Sequence, residues 1–228
     1  MIIEIKQLSE VLRFLTKRTH LFFDLDNTLI EPIHDFGSVQ WEKSLNAQFC
    51  KRGIPVNEAT IYSSMVWRAV NTVNSVKLVE EESIALLKLI HPDHFIGIAT
   101  ARSPEVHGTT LRQLQEVGLL FLHDNNYPLL HCGELSKAEK LTCYLKEIKT
   151  SPELLILVDD TKEHLELAAE EFSQAGIPFI GLRYGYLDQK VEAYKPDTFA
   201  SLFNQIVTHP DATLFLHALF EQIRIKNP

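Results

Sequence analysis

Apolar residues fall in short unbroken runs along this chain, and five runs read as strands: Leu21 to Leu25, Phe95 to Thr100, Pro128 to Cys132, Leu154 to Val158 and Pro178 to Leu182. None alternates cleanly with polar residues, which is the pattern of strands buried on both faces. Helical spacing follows the second run (about 104–116), the third (about 137–148) and the fourth (about 162–175). Strands alternating with helices predict an α/β fold, a parallel sheet with helices on both faces. Ahead of the first run, Leu8, Val11, Leu12 and Leu15 recur at i, i+3, i+4 and i+7 and predict an amphipathic helix. Near the other end, Leu214, Phe215, Ala218, Leu219 and Phe220 give a further helix an apolar face, read as packing on the core.

One connection breaks the rhythm. Asp26 to His94 separates the first two strands, whereas a parallel crossover needs only a dozen or more residues. Residues 82–91 suffice for the crossover helix. The excess, 31–78, is an insert, helical around 39–52 and 56–74, and it holds both tryptophans, Trp41 and Trp67. The expected organisation is a core from 1–30 and 79–228 with a small helical insert at 31–78. Open α/β sheets bind ligands beyond the C-terminal ends of their strands. An insert leaving that edge is placed to act as a lid.

Composition narrows the partners. The 228 residues are 45% hydrophobic and 23% charged, as in globular chains. Lys plus Arg number 22 and Asp plus Glu 30, for a net charge of −8. The one dense basic spot is Lys17-Arg18, so nucleic acid, which needs a positive surface, is not an expected partner. The longest apolar runs are five residues, such as Leu154 to Val158, against about 20 for a membrane span. The opening Met1 to Lys6 has no apolar stretch of signal-peptide length. Cys50, Cys132 and Cys143 form no C-x-x-C and read as reduced thiols in a cytoplasmic setting. None has an arginine six positions on, which excludes a C-x₅-R phosphatase loop. Neither G-x-x-x-x-G-K-[ST] nor G-x-G-x-x-G occurs. The sequence ends at Lys226-Asn227-Pro228 without a closing element, leaving open a further domain or a partner beyond it.

The strand ends carry the candidate chemistry. The first run leads into Asp24-Leu25-Asp26-Asn27-Thr28-Leu29, the second into Thr100-Ala101-Arg102, and the fourth into Asp159-Asp160-Thr161; Lys137 follows the third. Ser136-x-x-Glu139 is a capping box that sets Lys137 in a helix's first turn. Ser103-Pro104 starts another helix, and Asp160 or Thr161 caps the one after the fourth strand. Helix N-termini gathered at one sheet edge attract phosphate. Carboxylates from Asp24, Asp26, Asp159 and Asp160 held together repel by about 4 kcal/mol per pair at 4 Å for an effective dielectric near 20. They call for a hard cation, and Mg²⁺ suits a few carboxylates plus a substrate phosphate. A carboxylate can also attack phosphorus to form an aspartyl-phosphate.

Asp24-Leu25-Asp26-Asn27-Thr28 resembles the D-x-D-x-T signature of haloacid dehalogenase (HAD) superfamily phosphatases, and Thr100, Lys137 and Asp159-Asp160 follow in that family's order. The resemblance covers about 20–190 and implies a Rossmann-like core, with the insert in the place of a C1-type cap. It implies that Asp24 is the nucleophile and that Asp26 protonates the leaving oxygen, then activates water. Thr100 and Lys137 would hold the phosphoryl oxygens. Mg²⁺ would be held by Asp24, the Asp26 backbone carbonyl and the Asp159-Asp160 pair, with Asp160 favoured as direct ligand; the family often has Gly-Asp there. The pattern Gly37-Ser38-x-Gln40-Trp41 with Ala99-Thr100-Ala101-Arg102 is similar to a HAD group from intracellular bacteria. Some members of such groups are delivered into host cells and act on phosphoproteins.

The expected function is Mg²⁺-dependent phosphomonoester hydrolysis, with phosphotyrosine protein as the favoured substrate and aromatic residues such as Phe36, Trp41 and Tyr62 at the rim. The alternatives are a phosphatase of sugar or nucleotide monophosphates and a non-catalytic binding module. Arg102 reads either as a substrate contact or as a solvated charge, and Trp41 either as a substrate contact or as insert core. Lys140 is the rival to Lys137, one turn deeper in its helix.

Overall fold

The computed structural model describes residues 1–90, 94–125 and 127–195; the apolar face from Leu214 to Phe220 lies outside them. The described residues divide into two compact units, Met1–Glu31 with Lys77–Asp188, and Pro32–Val76 with 189–195.

The strands in chain order are β1 (Ile2–Ile5), β2 (Thr19–Phe23), β3 (Ile30–Pro32), β4 (Val76–Leu78), β5 (Phe95–Thr100), β6 (Leu129–His131), β7 (Leu154–Asp159) and β8 (Phe179–Tyr184). The helices are α1 (Val39–Lys51), α2 (Val56–Asn71), α3 (Ser83–Ile90), α4 (His107–Glu116), α5 (Phe121–Asp124), α6 (Lys137–Glu147), α7 (Lys162–Gln174) and α8 (Asp188–Glu192). Six strands form one sheet in the order β1-β8-β7-β2-β5-β6, and β3 pairs with β4. Every pairing in the large sheet is parallel.

Burial explains the unalternating runs. Phe22, Ala99, Leu155 and Leu157 turn to one face, where they pack with Ala138, Leu141 and Leu145 of α6 and Leu165, Ala168 and Phe172 of α7. The residues between them, Leu21, Phe23, Ile96, Ile98, Ile156 and Val158, are also covered, at 0–2% exposure. A strand covered on both sides has no polar face to show. Gly97 is required by close approach, since a Cβ there would sit 2.4 Å from the Phe22 ring.

The chain runs outward from β2 through β5 to β6, then returns on the other side of β2 through β7 and β8. The order therefore reverses between β2 and β7, and such a switch point is where open α/β sheets place a ligand.

Two local expectations change. The stretch expected as an amphipathic helix is a short 3-10 helix, Leu8–Arg13, closed by a capping box between Gln7 and Glu10. Ahead of it the chain adds an edge strand, β1, in register with Gly181–Tyr184 of β8. Four residues are too few for a period to show, and only pairing with β8 makes them a strand.

In the second unit, α1 and α2 close their own core. Trp41, Leu45 and Phe49 recur every four residues on α1 and meet Ala59, Val66, Trp67 and Val70 of α2, with Phe36. Ser38 caps α1 by accepting from Trp41 N at 3.1 Å. The preceding Gly37 has φ +83°, and a Cβ there would stand 2.2 Å from Asn74 Nδ2, so no other residue fits. Tyr194 packs against this cluster, and residues 189–195 group with the insert rather than with the sheet. Among the described residues no helix is long and apolar enough to cross a membrane.

Candidate active site

The site is built where β2 stops. Asp24 N still bonds to Val158 O at 2.8 Å, continuing the ladder one residue past the strand. The chain then folds into a tight loop, with Leu29 N and Ile30 N both donating to Leu25 O, at 2.9 and 3.0 Å. Asn27 takes φ 60° in that loop, a left-handed conformation that Asn tolerates better than most residues. Its amide donates to Asp160 Oδ2 at 3.2 Å, tying the loop to the end of β7.

Lys137 enters from the first turn of α6. The predicted capping box forms there: Ser136 Oγ accepts from Glu139 N at 3.0 Å, and Glu139 Oε2 accepts from Ser136 N at 2.7 Å. Lys137 is 4% exposed, and its ammonium lies 2.6 Å from Asp24 Oδ1 and 2.5 Å from Asp159 Oδ2. Thr100, 1% exposed, ends β5. Its hydroxyl oxygen accepts from Arg102 N at 3.2 Å, which leaves the hydroxyl proton to donate. Asp26 sits at the loop edge with 16% of its side chain exposed, held by Arg102.

Asp24, Asp159 and Asp160 each offer an oxygen, and these atoms lie within 4.8 Å of one another. Two of these carboxylates, Asp24 and Asp159, pair with the Lys137 ammonium. Burial, with Asp159 and Asp160 beside it, pushes the Asp24 carboxyl well above the usual carboxylate range, against the pull of Lys137. Burial also pushes Asp159 upward, but Lys137 and His164 outweigh it and hold that carboxyl below its ordinary value. Lys137 itself is raised, because Asp24 and Asp159 outweigh its burial. Burial thus works against the charged form of Asp24, the form a nucleophile needs. An all-oxygen donor set with excess negative charge fits a hard cation such as Mg²⁺, which would offset that cost.

The Asp159-Asp160 pair divides its work. Asp159 is 0% exposed, and both its oxygens are engaged, by Lys137, Thr161 N and His164. Asp160 is half-buried and accepts from Asn27 and the Thr161 hydroxyl. His164 was not singled out in the sequence. It lies in the first turn of α7, and an i+5 offset from an aspartate carries no signal of its own.

Other side chains fall elsewhere. Trp41 is 2% exposed, its ring 4.7 Å from Phe36 in the core of the second unit. Phe36 is 9% exposed, so of the three rings expected at a rim only Tyr62, at 43%, is open. Trp41 and Phe36 fail as rim residues because two short helices need large rings to close a core. Cys132 is buried, and burial pushes its thiol up to about 11, which keeps it un-ionised.

His131, at the end of β6, pairs with His107 at 3.2 Å. Burial, then the neighbouring His107 and Arg102 charges, push it down to about 4 from an ordinary 6.5. Between those values the unfolded chain binds a proton that the folded chain refuses. This contribution to stability is complete above pH 6.5 and is lost as pH falls through 4. At pH 4.5 wild type should lose about 2 kcal/mol that His131→Gln does not. Urea unfolding at pH 7 and 4.5 measures this difference, and equal losses in both chains would remove His131 from the account.

A family model described as "Protein of unknown function (DUF2608)" matches residues 2–131 and 129–209. A curated Chlamydia trachomatis protein named "Putative outer membrane protein" is 24% identical over 193 residues, 78% of this chain and 73% of that one. Among solved structures, CbbY from Rhodobacter sphaeroides in complex with phosphate is 13% identical, covers 75% of this chain and 88% of its own, and has a TM-score of 0.46. The HAD domain of the effector protein Lem4 from Legionella pneumophila is 15% identical, covers 86% and 98%, and has a TM-score of 0.42.

Proposed function

The chain belongs to the family described as "Protein of unknown function (DUF2608)", a description without chemistry, and from its side chains we propose that it hydrolyses phosphomonoesters through an aspartyl-phosphate on Asp24. The observation that carries this reading is the buried Asp24 carboxyl at a switch point, 2.6 Å from a buried lysine and beside two further carboxylates. A structural salt bridge needs one carboxylate; three carboxylates whose oxygens lie within 4.8 Å of one another suit a cation and a transferring phosphoryl group.

In this reading an Asp24 oxygen attacks phosphorus, the ester P–O bond breaks, and Asp26 gives its proton to the leaving oxygen. Asp26, now a carboxylate, takes a proton from the water that attacks the aspartyl-phosphate, and inorganic phosphate leaves. The Lys137 ammonium and the Thr100 hydroxyl hold the phosphoryl oxygens and stabilise their charge. Asp24, Asp160 and the Asp26 carbonyl would hold Mg²⁺, which supplies charge neutralisation between the carboxylates and the phosphoryl group. Asp159 is fully buried and paired with the Lys137 ammonium, whereas Asp160 is half-buried and accepts from the neutral donors Asn27 and Thr161, which favours Asp160 as the direct ligand. Calorimetric titration of metal-free protein with Mg²⁺ should lose its signal in Asp160→Ala more fully than in Asp159→Ala. The reverse order reassigns the ligand.

The finer reading is an aryl phosphate on a phosphotyrosine protein, supported by the resemblance to phosphoprotein-directed enzymes. A reducing compartment suits the free cysteines, in the producing cell or in a host cell that receives the protein. One panel tests both levels: p-nitrophenyl phosphate, matched phosphotyrosine and phosphoserine peptides, and sugar and nucleotide monophosphates, each with and without EDTA. Turnover that EDTA stops and Mg²⁺ restores is expected, with phosphotyrosine ahead. No turnover of any ester overturns the hydrolase. A metabolite faster by about 100-fold, or about 2.7 kcal/mol in transition-state binding, overturns only the phosphotyrosine reading.

A further inference from the structure

Arg102 is buried to 5% exposure two residues past Thr100. Its guanidinium grips Asp26 with both arms, Nε to Oδ2 at 2.8 Å and Nη2 to Oδ1 at 2.8 Å. The third nitrogen is anchored from behind, Nη1 donating to Gln113 Oε1 at 2.7 Å and to Thr110 Oγ1 at 3.2 Å. Both anchors are fully buried on α4. Thr110 is fixed in turn, its hydroxyl donating to Val106 O at 3.1 Å, so its lone pairs face the guanidinium. An arginine clamped on three side chains with 2% of its own side chain exposed is a poor substrate contact. It is well placed to set the plane of the Asp26 carboxyl.

We propose that Arg102, held by Gln113 and Thr110, is a positioning residue for Asp26, aligning that carboxyl for proton transfer to the leaving oxygen. The inference rests on the phosphomonoester-hydrolase reading. Arg102 exchanges no proton. The fork is that of the ionised Asp26, with both oxygens accepting. When Asp26 carries its proton, one oxygen leaves the fork to donate it to the leaving oxygen as the P–O bond breaks. The other stays held by Arg102, and Asp26 regains a proton from water. The bidentate fork fixes both oxygens in one plane, which a lysine ammonium cannot do. Misplacing a general acid by a fraction of an ångström weakens proton delivery without removing the acid.

The consequence depends on the leaving group. A p-nitrophenolate departs with little need of a proton, whereas a serine alkoxide does not depart without one. The ratio kcat/KM reports steps through P–O cleavage, so it isolates this effect from later hydrolysis of the aspartyl-phosphate. Arg102→Gln and Arg102→Lys should each lose about 10-fold on p-nitrophenyl phosphate and about 1000-fold on a phosphoserine peptide. Gln113→Leu, which keeps Arg102 and removes an anchor, should show the same bias at smaller size and carries the test if the Arg102 variants do not fold. Equal losses on both esters in all three variants reduce Arg102 to a structural role and overturn the proposal. A raised KM with unchanged kcat in the Arg102 variants makes it a substrate contact and also overturns it. A wild-type chain that turns over neither ester overturns the hydrolase reading and this inference with it, whereas an active wild type with unbiased variants overturns this inference alone.

Discussion

Turnover of p-nitrophenyl phosphate falls by roughly 10⁴-fold or more in Asp24→Asn, because the substitution keeps the shape of the nucleophile and removes its charge. The fold should not suffer. Asp24 is 5% exposed and is the group that burial and two neighbouring carboxylates push toward its neutral form. An amide there relieves like-charge repulsion with Asp159 and Asp160. It also leaves Lys137 its second partner, Asp159, at 2.5 Å. The melting temperature is therefore expected to be unchanged or higher, measured by calorimetry beside the activity assay. Activity within 10-fold of wild type in a normally melting variant would assign the nucleophile elsewhere. A melting point lower by many degrees would show that Asp24 holds the fold, and the loss of turnover would then not identify a nucleophile.

Lys137→Met should act in the opposite sense on stability. Among the described residues its ammonium is the cation paired with both Asp24 and Asp159. Removing one partner from such a buried ion pair costs about 3–5 kcal/mol, because the remaining charges stay desolvated and uncompensated. For a chain of this size each kcal/mol shifts melting by about 2–4 °C, so a fall of about 10 °C is expected. The deficit should shrink as pH falls and the stranded carboxylates take up protons. Added Mg²⁺ should return part of it, about 2.7 kcal/mol at 100 times its dissociation constant. Turnover should fall by about 100-fold or more even at saturating Mg²⁺, since a phosphoryl-binding charge is gone. A variant melting with wild type would show that the two salt bridges contribute nothing net. A variant that loses stability but keeps full turnover would remove Lys137 from phosphate binding.

These two predictions share residues whose place was readable from local pattern. A carboxylate directly after an apolar run is at a strand end, and β2 and β7 deliver Asp24 and Asp159 there. Ser136-x-x-Glu139 marks a helix start, and the box closes with Lys137 in the first turn. The five apolar runs read as strands because burial on two faces removes polar residues from a segment, and that imprint is local. The same holds for the four-residue spacing of Trp41, Leu45 and Phe49 on α1.

Local pattern along the chain, then, marks which segments are buried and which polar residues stand at their ends. Tertiary structure alone decided who meets whom. The edge strand β1 exists because β8 offers it a ladder 179 residues along, not because Ile2–Ile5 announces one. Arg102 read as a substrate contact or a solvated charge until the fold set it 2.8 Å from a carboxylate 76 residues earlier. Asn27 reaches Asp160 across 133 residues. His164 was invisible because a histidine in a helix's first turns has no pattern that separates an aspartate's partner from a surface residue. Trp41 carried an ambiguity of the same kind, settled by Phe36 beside it. Hydrophobic periodicity is written along one segment, whereas a hydrogen bond or an ion pair needs two segments brought within about 3 Å. Only the order of strands in the sheet does that.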